Sequence, residues 1–127
     1  MPKKWTLAEL PFLVGLPIPC LDNKGRPVGQ IVMQEWINRA TAELTKCFGG
    51  ATPSKSPAQN IVGRRVLYEK DQVLVLSGCA SRKVFLAHRK RIESFAKRMG
   101  AAMNQYAVFV LAFSSESFLV IDEQAAR

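Results

Sequence analysis

Apolar residues recur along this chain with two different periods, and the switches between them mark out the elements. Phe12-Leu13-Val14-Gly15-Leu16 is a continuous apolar run, the pattern of a strand buried on both sides. It leaves through Pro17 and Pro19 into Asp22-Asn23-Lys24-Gly25, residue types that tolerate the dihedrals of a turn. From about Val28 to Phe48 the period becomes helical. Met33, Trp36, Ile37, Ala40, Leu44, Cys47 and Phe48 gather on one face, with Gln34, Asn38, Thr41, Thr45 and Lys46 opposite. Gly49-Gly50 stops this helix, because glycine enters a left-handed C-cap without a Cβ penalty. The following stretch, GGATPSKSPAQN from Gly49 to Asn60, reads as a long loop, the kind that often carries function.

Two β-rich runs come next, Ile61 to Tyr68 and Gln72 to Ser77, separated by Glu69-Lys70-Asp71, and this spacing predicts a hairpin. Val73-Leu74-Val75-Leu76 is uniformly aliphatic and belongs at the centre of a sheet. A second helix spans about Ser81 to Met99 and ends at Gly100. A strand from Gln105 to Phe113, a turn at Ser114-Ser115-Glu116-Ser117 and a short strand from Phe118 to Ile121 complete the chain. The order is β-α-β-β-α-β with an additional short C-terminal strand. It predicts an α+β, ferredoxin-like sandwich, with two helices on one face of an antiparallel sheet.

Length and composition narrow the class. The 127 residues make a single α+β domain, and 48% hydrophobic with 22% charged residues is ordinary for a folded chain. Cys20, Cys47 and Cys79 are widely spaced, no CxxC pair exists and His88 is the one histidine. No metal or other cofactor is therefore expected, and the thiols read as buried and reduced. The apolar stretch from Leu10 to Leu21 is broken by Pro11, Pro17 and Pro19, and the longest unbroken run, Tyr106 to Phe113, is too short to span a bilayer as a helix. A cytoplasmic protein without membrane contact is the expectation.

Charge changes the picture more. Between Arg82 and Arg98 stand seven cations (Arg82, Lys83, Arg89, Lys90, Arg91, Lys97, Arg98) against one acid, Glu93, so the second helix holds six of the formal +8. Val84, Phe85, His88, Ile92, Phe95 and Met99 take its core face, and Lys83, Lys90 and Lys97 line up every seven residues on the outward one. A cationic line of roughly 22 Å can follow a phosphate backbone. The same charges also suit a solvated face that keeps the protein soluble. The central arm Val73 to Leu76 carries no aromatic residue, so base stacking of the RNA-recognition-motif kind is excluded.

No other group of residues makes a catalytic signature. His88 lies within the apolar stripe with no carboxylate near it in sequence, which fits a hydrogen-bonded core histidine better than a general base. The glycines of Phe48-Gly49-Gly50-Ala51-Thr52 lack the Gly-Lys-Ser/Thr of a phosphate loop, and the serines from Ser114 lack a nucleophile elbow. Asn104-Gln105-Tyr106 enters the last long strand with three hydrogen-bonding side chains, which with Thr52 would line a pocket beside the Gly-Gly loop. Phe-Gly-Gly-Ala-Thr after the first helix, with Asp22-Asn23-Lys24-Gly25-Arg26-Pro27 before it, resembles small uncharacterised bacterial proteins carrying Phe-Gly-Gly-x-Thr at this place. That resemblance implies the architecture and brings no activity with it.

The sequence thus favours a non-catalytic binding module that contacts nucleic acid, or an acidic protein, through its second helix. The alternative is a homodimeric interaction or regulatory module assembled sheet to sheet, since both faces of the last strands are apolar. The third reading is an enzyme with a pocket at Thr52, Asn104 and Gln105.

Overall fold

The computed structural model describes residues 5–62 and 65–122. Its elements in chain order are β1 (Trp5–Ile18), α1 (Gln30–Phe48), β2 (Thr52–Lys55), β3 (Ala58–Val62), β4 (Arg65–Glu69), β5 (Val73–Cys79), α2 (Arg82–Ala102) and β6 (Leu111–Asp122). Four strands form one sheet in the order β2-β5-β1-β6, with every neighbouring pair antiparallel. β3 and β4 form a separate two-stranded sheet. Both helices pack on the four-stranded sheet, which is the expected α+β sandwich.

Alternation along β1 sets the core. Phe12, Val14, Leu16 and Ile18 are buried together with Val75 and Cys79 of β5, and they meet Trp36, Ile37, Ala40, Leu44 and Cys47 of α1 and Ile92, Phe95 and Met99 of α2. Trp36 and Phe95 meet edge to face at 5.6 Å, and the Phe12 and Phe85 rings lie tilted with centres 5.7 Å apart, so aromatic contacts join the two helices and fasten α2 to the sheet. Full burial of a Leu or Ile side chain contributes about 1.5–3 kcal/mol. Apolar burial therefore dominates over the inter-helix ion pair of Arg91 with Glu43, in which the arginine is exposed.

The helix boundaries follow local chemistry. α1 closes on Gly49, left-handed at φ 93° with its N–H on Thr45 O, as its sequence implied. α2 begins on Ser81, whose hydroxyl accepts from Val84 N. It does not stop at Gly100. That glycine is buried inside the helix against Val108, and the chain turns at Asn104, the one non-glycine residue with positive φ (51°) among the described residues. Gln105 N donates to Gly100 O at 2.9 Å and Asn104 N to Ala101 O at 3.4 Å, a Schellman closure in which Asn takes the place usually held by Gly.

Three strand assignments made from the sequence change. The expected hairpin between 61–68 and 72–77 does not form: β4 pairs with β3, and β5 pairs with β1 and β2. The stretch Gly49 to Asn60, read as a loop, contains β2 and the start of β3. β2 is an exposed polar edge strand whose sequence, Thr-Pro-Ser-Lys, gives no alternation to detect. The serine turn at 114–117 lies inside β6, which continues to Asp122 and includes the short C-terminal strand. Its polar residues fall at a bulge instead, because the register steps from Leu10–Ser117 to Phe12–Ser114 across Pro11, which has no N–H to donate.

Candidate functional site

One end of the sheet collects the polar groups that the core has no use for. β1 ends at Ile18 opposite Val73, the first residue of β5, so the loop after β1 runs beside the junction between β4 and β5. Glu69 closes β4 at this junction and is 5% exposed, the one buried glutamate among the described residues. Its Oε1 accepts main-chain N–H groups from both Cys20 and Leu21, each at 3.1 Å. Two convergent peptide donors hold the carboxylate in place at the end of the sheet.

The loop that supplies those donors is itself fixed. Asp22 Oδ1 accepts from Lys24 N and Arg26 N at 2.9 Å, and its Oδ2 from Arg26 Nε at 3.0 Å. The Arg26 main-chain N–H, ahead of the Lys24 N–H and the Arg26 guanidinium, holds the Asp22 carboxyl below the usual carboxylate range. From the other side, Gln105 Nε2 donates to Leu21 O at 2.8 Å and Met103 O at 3.0 Å, and Asn23 N donates to Asn104 O at 2.9 Å. Burial pushes the Cys20 thiol up, and the charges of Glu69 and Asp71 add to it against a hydrogen bond from the Asp71 main chain. Beside this cluster, an open groove of about 480 Å³ runs between α2 and the segment before β6. Ala96, Gly100, Ala101 and Val108 make its apolar floor, with Glu93, Lys97 and Tyr106 among its polar groups.

The structure brings Asn104 and Gln105 together with residues 21–23, and places Tyr106, 76% exposed, against the groove. Thr52 stands elsewhere, paired with Leu76 on β2 at the level of Gly15 in β1, well before the end of that strand. His88 is half-buried, with Nδ1 on Val84 O at 2.9 Å and its ring edge to face with Phe48. The cationic positions of α2 are exposed as expected, but three of the seven have partners within the chain. Arg89 bonds Glu93, Arg91 bonds Glu43, and the Arg98 guanidinium lies 5.8 Å from the Phe95 ring centre. Sequence reasoning missed Glu69 because its partners are peptide N–H groups 48 and 49 residues away, which leave no trace in residue types.

No helix among the described residues is long and apolar enough to cross a membrane, and no group of three or more potential metal ligands occurs among them. No family model matches the chain, and no curated protein matches it. Among solved structures, it is similar to a phage S-adenosylmethionine (SAM) lyase in complex with S-methyl-5′-thioadenosine (MTA). The TM-score is 0.54 and the identity 14%, over 92% of this chain and 93% of that one. The likeness lies in the fold.

This finding overturns the readings of the chain as a non-catalytic module that binds nucleic acid or an acidic protein, or as a homodimeric interaction module. It also replaces the resemblance to uncharacterised bacterial proteins with a likeness to a protein of named activity. A concentration of charge on one helix face is equally the property of a solvated surface and does not by itself define a binding site. The buried Glu69 carboxylate, held by two main-chain N–H groups, leaves no mark in the sequence pattern.

Proposed function

We propose that this chain is an enzyme that binds SAM and cleaves it with release of MTA. The similarity to the phage SAM lyase, which spans nearly the whole of both chains, carries the reading. Glu69 supports it. SAM presents a sulfonium and an ammonium group, and a buried carboxylate already oriented by Cys20 N and Leu21 N offers them a counter-charge at little cost in reorganisation. As an oxygen of the substrate's own α-carboxylate bonds to the γ-carbon of the amino-acid arm, the bond from that carbon to the sulfonium breaks and its electron pair stays on sulfur, so MTA departs as a neutral thioether and the arm closes to a five-membered lactone that keeps its ammonium group. The leaving group is good, and the work left to the protein is to hold the two halves of the substrate in a reactive conformation.

The test is incubation of the purified chain with SAM, with products separated by chromatography and weighed by mass spectrometry. MTA should appear in proportion to protein, and the mass of the second product shows whether water has entered it. Glu69→Gln keeps an oxygen to accept from Cys20 N and Leu21 N while removing the charge, so the fold should persist and SAM affinity should fall by about tenfold or more. Absence of both MTA formation and a SAM-induced rise in thermal midpoint for the wild type would overturn the proposal.

A further inference from the structure

Leu21 is engaged on both sides of its peptide. Its N–H donates to Glu69 Oε1 at 3.1 Å, and its carbonyl accepts Gln105 Nε2 at 2.8 Å. A single residue thus separates the side chain that closes α2 from the carboxylate that closes β4. Gln105 is well placed to act through it. Its own N–H is tied to Gly100 O and its Nε2 also reaches Met103 O, so the amide is fixed to the end of α2 before it touches the loop. Asn104, through its carbonyl on Asn23 N, adds a second tie between the same two segments. Among the described residues these are the side-chain and main-chain hydrogen bonds that connect α2's C-terminus to the loop holding Glu69.

From this geometry we infer that Gln105 is a positioning residue: it sets where Leu21, and through it the Glu69 carboxylate, stands relative to a bound cationic ligand. The inference rests on the proposed SAM reading for its functional half. Its structural half, the coupling of Gln105 to the Cys20 and Leu21 amides, stands apart from that reading. Gln105 neither needs to touch substrate nor to exchange a proton. Its contribution is to remove a degree of freedom from a loop whose peptide groups do the contacting, which is how a displacement far smaller than a bond length is kept out of the site.

Gln105→Met removes the donor at similar side-chain length and is the variant of choice. Hydrogen exchange read by NMR should show the Cys20 and Leu21 amides losing protection about tenfold, the scale of one lost hydrogen bond to a part-buried carbonyl, with the α1 amides unchanged. In turnover, kcat/KM for MTA release should fall by about tenfold in the wild-type background and by less than twofold when Glu69 is already Gln. A residue with only a general structural role would lower both backgrounds equally. Unchanged protection of Cys20 and Leu21 in Gln105→Met overturns the coupling, and equal losses in both backgrounds overturn the positioning role. If the wild type releases no MTA, the SAM reading falls and the positioning of substrate falls with it. The amide exchange then decides separately whether Gln105 governs the loop.

Discussion

Two residues show how far local context outweighs residue type. Gly100 reads as a helix stop, yet it serves as a point of close approach: a Cβ built there would lie 2.7 Å from Val108 Cγ2. Gly100→Ala should gain up to about 1 kcal/mol in helix propensity and lose more to overpacking, for a net destabilisation of about 1–2 kcal/mol in chemical denaturation. Adding Val108→Ala should recover a good part of that loss. Asp22 is the complementary case of a polar residue made structural by main-chain donors. Its carboxyl is depressed in the folded chain, so its contribution is present above the ordinary aspartate range and disappears as pH falls through the folded value. Wild type should therefore be more stable than Asp22→Asn at pH 7, and the two thermal midpoints should converge towards pH 3 and below. A constant difference across that range would show that Asp22 acts through shape alone.

At the scale of elements, what could be read in advance is what repeats. The stripe Trp36, Ile37, Ala40, Leu44, Cys47 on α1 and the stripe Ile92, Phe95, Met99 on α2 are both buried as their periodicity demands. The central position of β5 followed from its aliphatic run. Strand partners did not follow. β4 and β5 are separated by three residues and look like a hairpin, but each finds its partner on another strand, because pairing is settled by which apolar face the core accepts. β2 was missed since a four-residue exposed edge needs neither alternation nor hydrophobicity. The candidate site was half legible. Asn104 and Gln105 stood out as consecutive hydrogen-bonding residues, and they do meet the loop after β1. Glu69 did not stand out, being one charged residue in a polar break.

The whole molecule is organised about β1. From Phe12 to Gly15 this strand lies between β5 and β6, from Leu16 to Ile18 it is paired with β5 alone, and from Trp5 to Leu10 with β6 alone. Amides of Phe12 to Gly15 are thus enclosed by neighbours on both flanks and by the helices, and those of Trp5 to Leu10 belong to a two-stranded ribbon. Native-state hydrogen exchange should place the slowest amides between Phe12 and Gly15 and in the facing part of β5, with those of Trp5 to Leu10 at least tenfold faster. Uniform protection along β1 would mean that the ribbon is stabilised by something beyond its own pairing. The distribution of charge belongs to this scale too. Six of the net +8 sits on a helix whose outer face is the far side of the sandwich from the sheet, while the fixed carboxylate lies at the end of the sheet. Of that charged surface, Lys97 also lines the groove beside the proposed site.

The way Glu69 is held has a consequence for descent. Its two donors belong to the peptide groups of residues 20 and 21, and every amino acid other than proline carries the same donor. Side chains at these positions are thus at liberty to drift while the contact is inherited intact. A chain built this way can exchange almost every side chain around the contact and keep the arrangement in space.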